Sequence, residues 1–128
     1  MTRAEIDSRL RELGIYSDLY HRKELKALAQ LLESGEQLNC ALTGVHEANR
    51  KMVAVTDRRV IIIFAGALGA GDVTVIRREG INDYSFDKKM LFSSMSVTSN
   101  DGAVYSFTNT QGSRKELFIW AMEKLMSA

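Results

Sequence analysis

The spacing of apolar positions changes twice along the chain. Between Thr2 and Gly14, Ile6, Leu10 and Leu13 recur at intervals of three and four, the period of one helix face. Thr2 followed by Glu5 reads as a capping box, and Gly14 as a stop. A second helix is predicted within "SDLYHRKELKALAQLLESG" (17–35) from Leu25, Leu28, Ala29 and Leu32. Ser17 or Asp18 would cap its start and Gly35 its end. From Gln37 the period shortens, and β-rich runs alternate with turn signals. Strands are predicted near 37–45, 50–56, 59–65, 72–78, 81–87, 91–98 and 103–109. "SNDG" (99–102) is a tight turn, and "FDKKML" a hairpin with Lys88 and Lys89 at its tip. These connections are too short for helical crossovers, so the strands are antiparallel. "GSRKELFIWAMEKLMSA" returns to the helical period, with Ser113 as cap and Glu116 three residues on. Its Leu117, Phe118, Ala121, Met122 and Leu125 form one apolar face, and Ile119 and Trp120 lie partly off it.

The expected architecture is mostly β with flanking helices. An N-terminal helical segment, residues 1–35, precedes a small antiparallel sandwich or barrel plugged by a C-terminal helix, residues 36–128. Within it, "TDRRVIIIF" (56–64) sets two arginines before five apolar residues. On a period-two strand Arg59 shares a face with Ile61 and Ile63, and Arg58 with Val60, Ile62 and Phe64, so both faces are apolar and both are expected to be covered. Thr56 and Asp57 suit a turn whose side chains bond nearby backbone N–H groups. Arg59 is read as a clamp on that turn or on a neighbouring carboxylate rather than as an anion-binding group.

Three stretches carry a family resemblance. "LLESGEQL" (31–38) resembles an entry made of a helix end, Gly-Glu and a first strand. "GVHEANRKMVAVTDRRVIIIF" (44–64) resembles a signature of Gly, hairpin, apolar strand, Thr-polar-x-Arg and hydrophobic strand. "GINDYSF" (80–86) has Ile followed by a polar pair at the start of the fifth strand. Together they resemble the bacterial pleckstrin-homology domains of the YokE-like group, except that Asp57 stands where that group more often has Asn. The resemblance covers roughly 31–127 and implies a PH-like barrel of seven antiparallel strands capped by a C-terminal helix. A non-catalytic module is expected separately, because no general base and nucleophile appear together. In the lipid-binding eukaryotic members a basic cluster spans the first two strands; the equivalent loop here is "HEANRK" (46–51), which Glu47 dilutes.

Composition narrows the function classes. The chain has 128 residues, one domain's worth, and 45% of them are hydrophobic, enough for a packed core. The formal charge of +1 gives no global attraction to nucleic acid or anionic lipid. Aromatic residues, at 8%, are not interleaved with basic ones as on a single-strand-binding face. A single cysteine, Cys40, excludes an internal disulfide and fits a cytoplasmic setting. The greasiest run, "RVIIIFAGALGAG", is broken by glycines and falls short of the roughly 20 apolar residues of a spanning helix.

No reaction chemistry assembles. "GALGAG" (66–71) lacks the Lys-Ser/Thr of a phosphate loop and runs into a strand, so it reads as a hairpin loop. His21 and His46 lie in different elements without metal spacing, and Ser93, Ser94 and Ser96 lack a companion base. No catalytic, cofactor or metal residue is expected. Two partner classes remain. Leu25, Leu28, Leu32, Leu68, Ile119 and Trp120 are the candidate contacts for self-association or a protein partner. Arg50, Lys51, Arg58, Lys88 and Lys89 are the candidate contacts for anionic lipid headgroups at a membrane surface.

Overall fold

The computed structural model describes residues 1–66 and 71–127. Helices α1 (Arg3–Glu12), α2 (Tyr16–Leu19) and α3 (Glu24–Leu31) lead into β1 (Leu38–His46), β2 (Asn49–Thr56), β3 (Arg59–Ile63), β4 (Val73–Arg77), β5 (Ile81–Asp87), β6 (Ser93–Ser99) and β7 (Val104–Thr110). Helix α4 (Lys115–Ser127) closes the chain after a 3-10 turn at Gly112–Arg114.

The capping box at the start of α1 forms. The Glu5 N–H donates to Thr2 Oγ1 at 3.1 Å, and the Thr2 N–H to Glu5 Oε1 at 3.0 Å. The helix predicted within 17–35 is instead two pieces. Leu19 and Leu25 are six residues apart, a spacing that one straight helix cannot keep on a single face. The chain turns between them, and Arg3 of α1 donates to the freed Tyr20 carbonyl at 2.9 Å. Arg22 grips Glu24 through two bonds of 2.8 and 3.2 Å, which offsets burial of that carboxylate at the head of α3.

All neighbouring strands are antiparallel, in the order β4-β3-β2-β1-β7-β6-β5. The barrel expected from the sequence does not close. β4 and β5 stand at opposite ends of the sheet and do not pair with each other. The corner between them is held by side-chain and main-chain bonds. The 3-10 turn Arg78–Gly80 gives its carbonyls to the β6–β7 turn: Asn100 N–H donates to Gly80 O at 2.8 Å and Asn100 Nδ2 to Glu79 O at 2.6 Å. On its other side Arg78 N–H donates to Arg58 O at 3.2 Å, so the corner bridges the β2–β3 and β6–β7 turns, and no β4–β5 pairing forms among the described residues. The two halves join where Val45 of β1 faces Thr108 of β7. Gly44 permits that approach, because a Cβ there would lie 2.7 Å from Phe107 Cβ and 2.8 Å from Thr110 Cγ2.

Both faces of β1–β3 are covered. One packs on α4, with Cys40, Leu42, Val53, Val55, Val60 and Ile62 against Phe118, Ala121, Met122 and Leu125; Ile76, Ile81, Phe86, Met95, Val97 and Phe107 complete this core. The other packs on the N-terminal helices, with Ala41, Met52, Ala54, Ile61 and Ile63 against Ile6, Leu10, Ile15, Leu19, Leu25 and Leu28. A bulge between Leu38 and Cys40 resets the alternation, so Leu38 and Ala41 share the second face. All five residues of β3 are buried, as expected of a strand with two apolar faces.

Candidate functional site

The polar centre of the molecule is built around the turn between β2 and β3. Arg59 Nε donates to Glu36 Oε2 at 2.8 Å and its Nη2 to Glu36 Oε1 at 2.9 Å, while Nη2 also meets the Leu31 carbonyl at 2.7 Å. Thr56 Oγ1 donates to Glu36 Oε2 at 2.7 Å and accepts from the N–H groups of Arg58 and Arg59, both at 3.1 Å. Asp57 Oδ1 accepts from the Gln37 N–H at 3.0 Å. Burial by itself would raise the Glu36 pKa. Hydrogen bonds from Arg59, the Glu33 N–H and Thr56 outweigh it and hold the carboxyl at about 2. The Thr56-Asp57-x-Arg59 motif therefore joins the end of α3, the start of β1 and the turn into β3. It is a structural clamp on a neighbouring carboxylate, as the sequence reading expected, with Glu36, Thr56 and Arg59 buried.

The five cations proposed for anionic headgroups do not converge. Arg50 and Lys51 are consecutive on β2 and point to opposite faces. Arg50 is engaged by Thr43 Oγ1 at 2.9 Å and by the Asn109 carbonyl at 3.3 Å. Arg58 lies beyond the far end of β2, where it pairs with Glu33 at 3.4 Å and the Ser34 carbonyl at 3.2 Å. Only Lys88 and Lys89 stand together, both exposed at the β5–β6 tip.

The apolar partner contacts divide as well. Leu25 and Leu28 are fully buried and Leu32 nearly so, on the chain's own sheet. That corrects their reading as partner contacts: α1–α3 fold back on β1–β3, and their stripes are already covered. Ile119 is half-buried against the α4-side core, Trp120 is exposed with Lys124 over its ring, and Leu68 lies outside the described residues.

One feature was missed in the sequence. The predicted strand at 91–98 begins only at Ser93, and Met90, Leu91 and Phe92 project from the hairpin tip, 100%, 70% and 72% exposed. Three successive apolar residues beside a lysine pair, without alternation, were the available signal. The outer edge of β4 stands open as well. Arg78 N–H donates to Arg58 O and Phe64 N–H to Asp72 O, which fixes the alternation of the β3–β4 ladder. By that alternation the main-chain groups of Val73, Val75 and Arg77 point away from β3, and no strand pairs with them among the described residues. The side chains of Val73 and Val75 are exposed, beside a groove under α3 that is lined by Ala27, Ile63 and Phe64 and rimmed by Lys23 and Lys26.

Burial pushes the Cys40 thiol up to about 12, leaving no thiolate at neutral pH. His46 meets the Ser106 carbonyl through Nδ1 at 2.9 Å, and His21 is exposed on the α2–α3 turn. Among the described residues no His/Cys/Asp/Glu group could hold a metal ion, and no helix is long and apolar enough to cross a membrane.

The family model for the bacterial PH domain matches residues 32–123. The chain belongs to the bacterial PH domain family. As such it is a non-catalytic module, and the open sheet with α4 on one face is this member's form of the fold. Among solved structures it is similar to the C-terminal domain of an unknown protein from Leishmania infantum, with a TM-score of 0.56, 14% identity and coverage of 88% of this chain and 98% of that one. That likeness shows the fold alone. No curated protein matches the sequence. The family match begins at Leu32, and α1–α3, which precede that point, pack on the same sheet.

Proposed function

We propose that this bacterial PH domain is a cytoplasmic protein-docking module that self-associates through β4. The carrying observation is the free edge at Val73, Val75 and Arg77, with outward N–H and C=O groups and exposed valines. Such an edge is a template for another strand. Two copies of β4 paired antiparallel about a two-fold axis would oppose Val75 to its own copy and Val73 to Arg77. Every outward main-chain group would gain a partner in register. The Arg77 charge is partly offset by Glu33 at 3.4 Å. Size exclusion with light scattering tests the reading. A dimer is expected at high micromolar concentration, reduced to monomer by Val75→Glu. A strictly monomeric parent chain overturns it.

A further inference from the structure

The β5–β6 tip joins three observations that no role inside the fold explains. Met90 is fully exposed, Leu91 and Phe92 are mostly exposed, and none of the three enters either packed core. Phe92 has φ +59°, a conformation that costs an L-residue free energy and that Gly or Asn adopts more readily. A large apolar side chain thus sits where both the backbone and the solvent disfavour it. The base of the tip is nonetheless firmly mounted. Buried Ser93 accepts from the Lys89 N–H at 3.1 Å and donates to the Lys89 carbonyl at 3.2 Å. Lys88 lies against Gly112, where an added Cβ would be 3.2 Å from Lys88 Cγ.

We propose that the Lys88–Phe92 tip is a membrane-contact element that inserts Met90, Leu91 and Phe92 into an anionic bilayer surface while Lys88 and Lys89 bind its headgroups. Shape and charge choose this occupant. The tip is convex, so a protein partner would need a matching pit, whereas a lipid interface accepts a protruding apolar group directly. Two exposed lysines precede the apolar triad, and Lys89 pairs with Asp87 at 3.4 Å, an exposed pair of little strength. Lysine stems lie along apolar surface while their ammonium groups stay with phosphate. Strain at a mostly exposed position outside both packed cores points to a role outside the fold. The proposal is independent of β4, whose free edge is a different strand.

Co-sedimentation of the full chain with phosphatidylcholine vesicles, with and without phosphatidylserine, tests it at low and high salt. The parent chain is expected to pellet with the acidic vesicles and to be released as salt rises. Phe92→Asn should weaken binding roughly tenfold or more. Its thermal midpoint should stay at or above that of the parent, because Asn suits the local φ. That pairing separates lost insertion from lost folding. Lys88→Gln and Lys89→Gln should each cost about fivefold on acidic vesicles. Absence of pelleting at low salt overturns the proposal, as does equal pelleting with neutral vesicles. Retention of parental binding by Phe92→Asn overturns it too.

Discussion

Arg59 and Glu36 form a two-bond ion pair, at 2.8 and 2.9 Å, beneath the end of α3. The Glu36 side chain is wholly buried and that of Arg59 nearly so. This is why an arginine stands at the mouth of an apolar strand. Its guanidinium fork reaches a carboxylate 23 residues earlier in the chain and a helix-end carbonyl at Leu31. A lysine could supply the charge but not the planar two-bond geometry.

The pair makes stability depend on acid. The folded Glu36 carboxyl titrates near 2 against 4.5 for the ordinary group, so as pH falls the unfolded chain takes up the proton first. The stabilisation is complete above about 4.5 and is lost as pH falls toward about 2. By linkage it is worth roughly 3 kcal/mol. Denaturant titrations across that window should show the loss. Glu36→Gln should flatten this part of the profile and, by leaving Arg59 buried without its counter-charge, cost about 3–5 kcal/mol at neutral pH. A variant with parental stability and the parental acid slope would remove Glu36 as the cause.

The junction of the two sheet halves should be equally intolerant at Gly44. A methyl group there meets Phe107 Cβ at 2.7 Å and Thr110 Cγ2 at 2.8 Å, and the Thr108 carbonyl at 3.3 Å limits retreat. Gly44→Ala is expected to lower the unfolding free energy by about 1–3 kcal/mol, the usual cost of overpacking. Urea denaturation measures it. An unchanged midpoint would mean that the β1–β7 approach can open without penalty.

The N-terminal helices supply a third expectation. Leu28 is fully buried in the core that α1–α3 share with β1–β3. Leu28→Ala should therefore destabilise the isolated chain by about 2–5 kcal/mol, at any protein concentration. Were these helices packed on a partner instead, the cost would appear only in assembly. Denaturation at two widely separated concentrations distinguishes the cases.

Periodicity made most of the elements legible, because each strand is half or fully buried and its side chains must alternate or run apolar. β5 was predicted at 81–87 and occupies Ile81–Asp87, bounded by Gly80 and the lysine pair. The role of Arg59 was legible for a similar reason: a cation among buried isoleucines requires a counter-charge. Closure of the barrel was not legible. The corner between β4 and β5 is held by Asn100, which takes the Glu79 and Gly80 carbonyls from some twenty residues away, a tie that no local pattern announces. The single helix predicted across 17–35 failed because the helix pattern was read through Tyr20–Lys23, where nothing is buried. The exposed tip was hidden because "MLF" is as apolar as a strand start. Only the structure tells that Met90 faces water while Met95 faces the core.

The β1–β2 hairpin offers the last prediction. Its two linking residues, Glu47 and Ala48, have φ +51° and +67°, with His46 opposite Asn49. A two-residue turn of this hand suits the right-handed twist of the flanking strands but normally uses Asn-Gly or Asp-Gly. Ala48 carries the steric cost of a left-handed conformation without a side chain able to hydrogen-bond locally. Ala48→Gly is expected to relieve it and to raise the unfolding free energy by roughly 0.5–1 kcal/mol, after the added flexibility of the unfolded chain is counted. Thermal and denaturant midpoints should both rise. Ala48→Val should move them the opposite way, since a β-branched side chain tolerates positive φ least. If both variants shift stability in the same direction, the turn does not hold this backbone in solution.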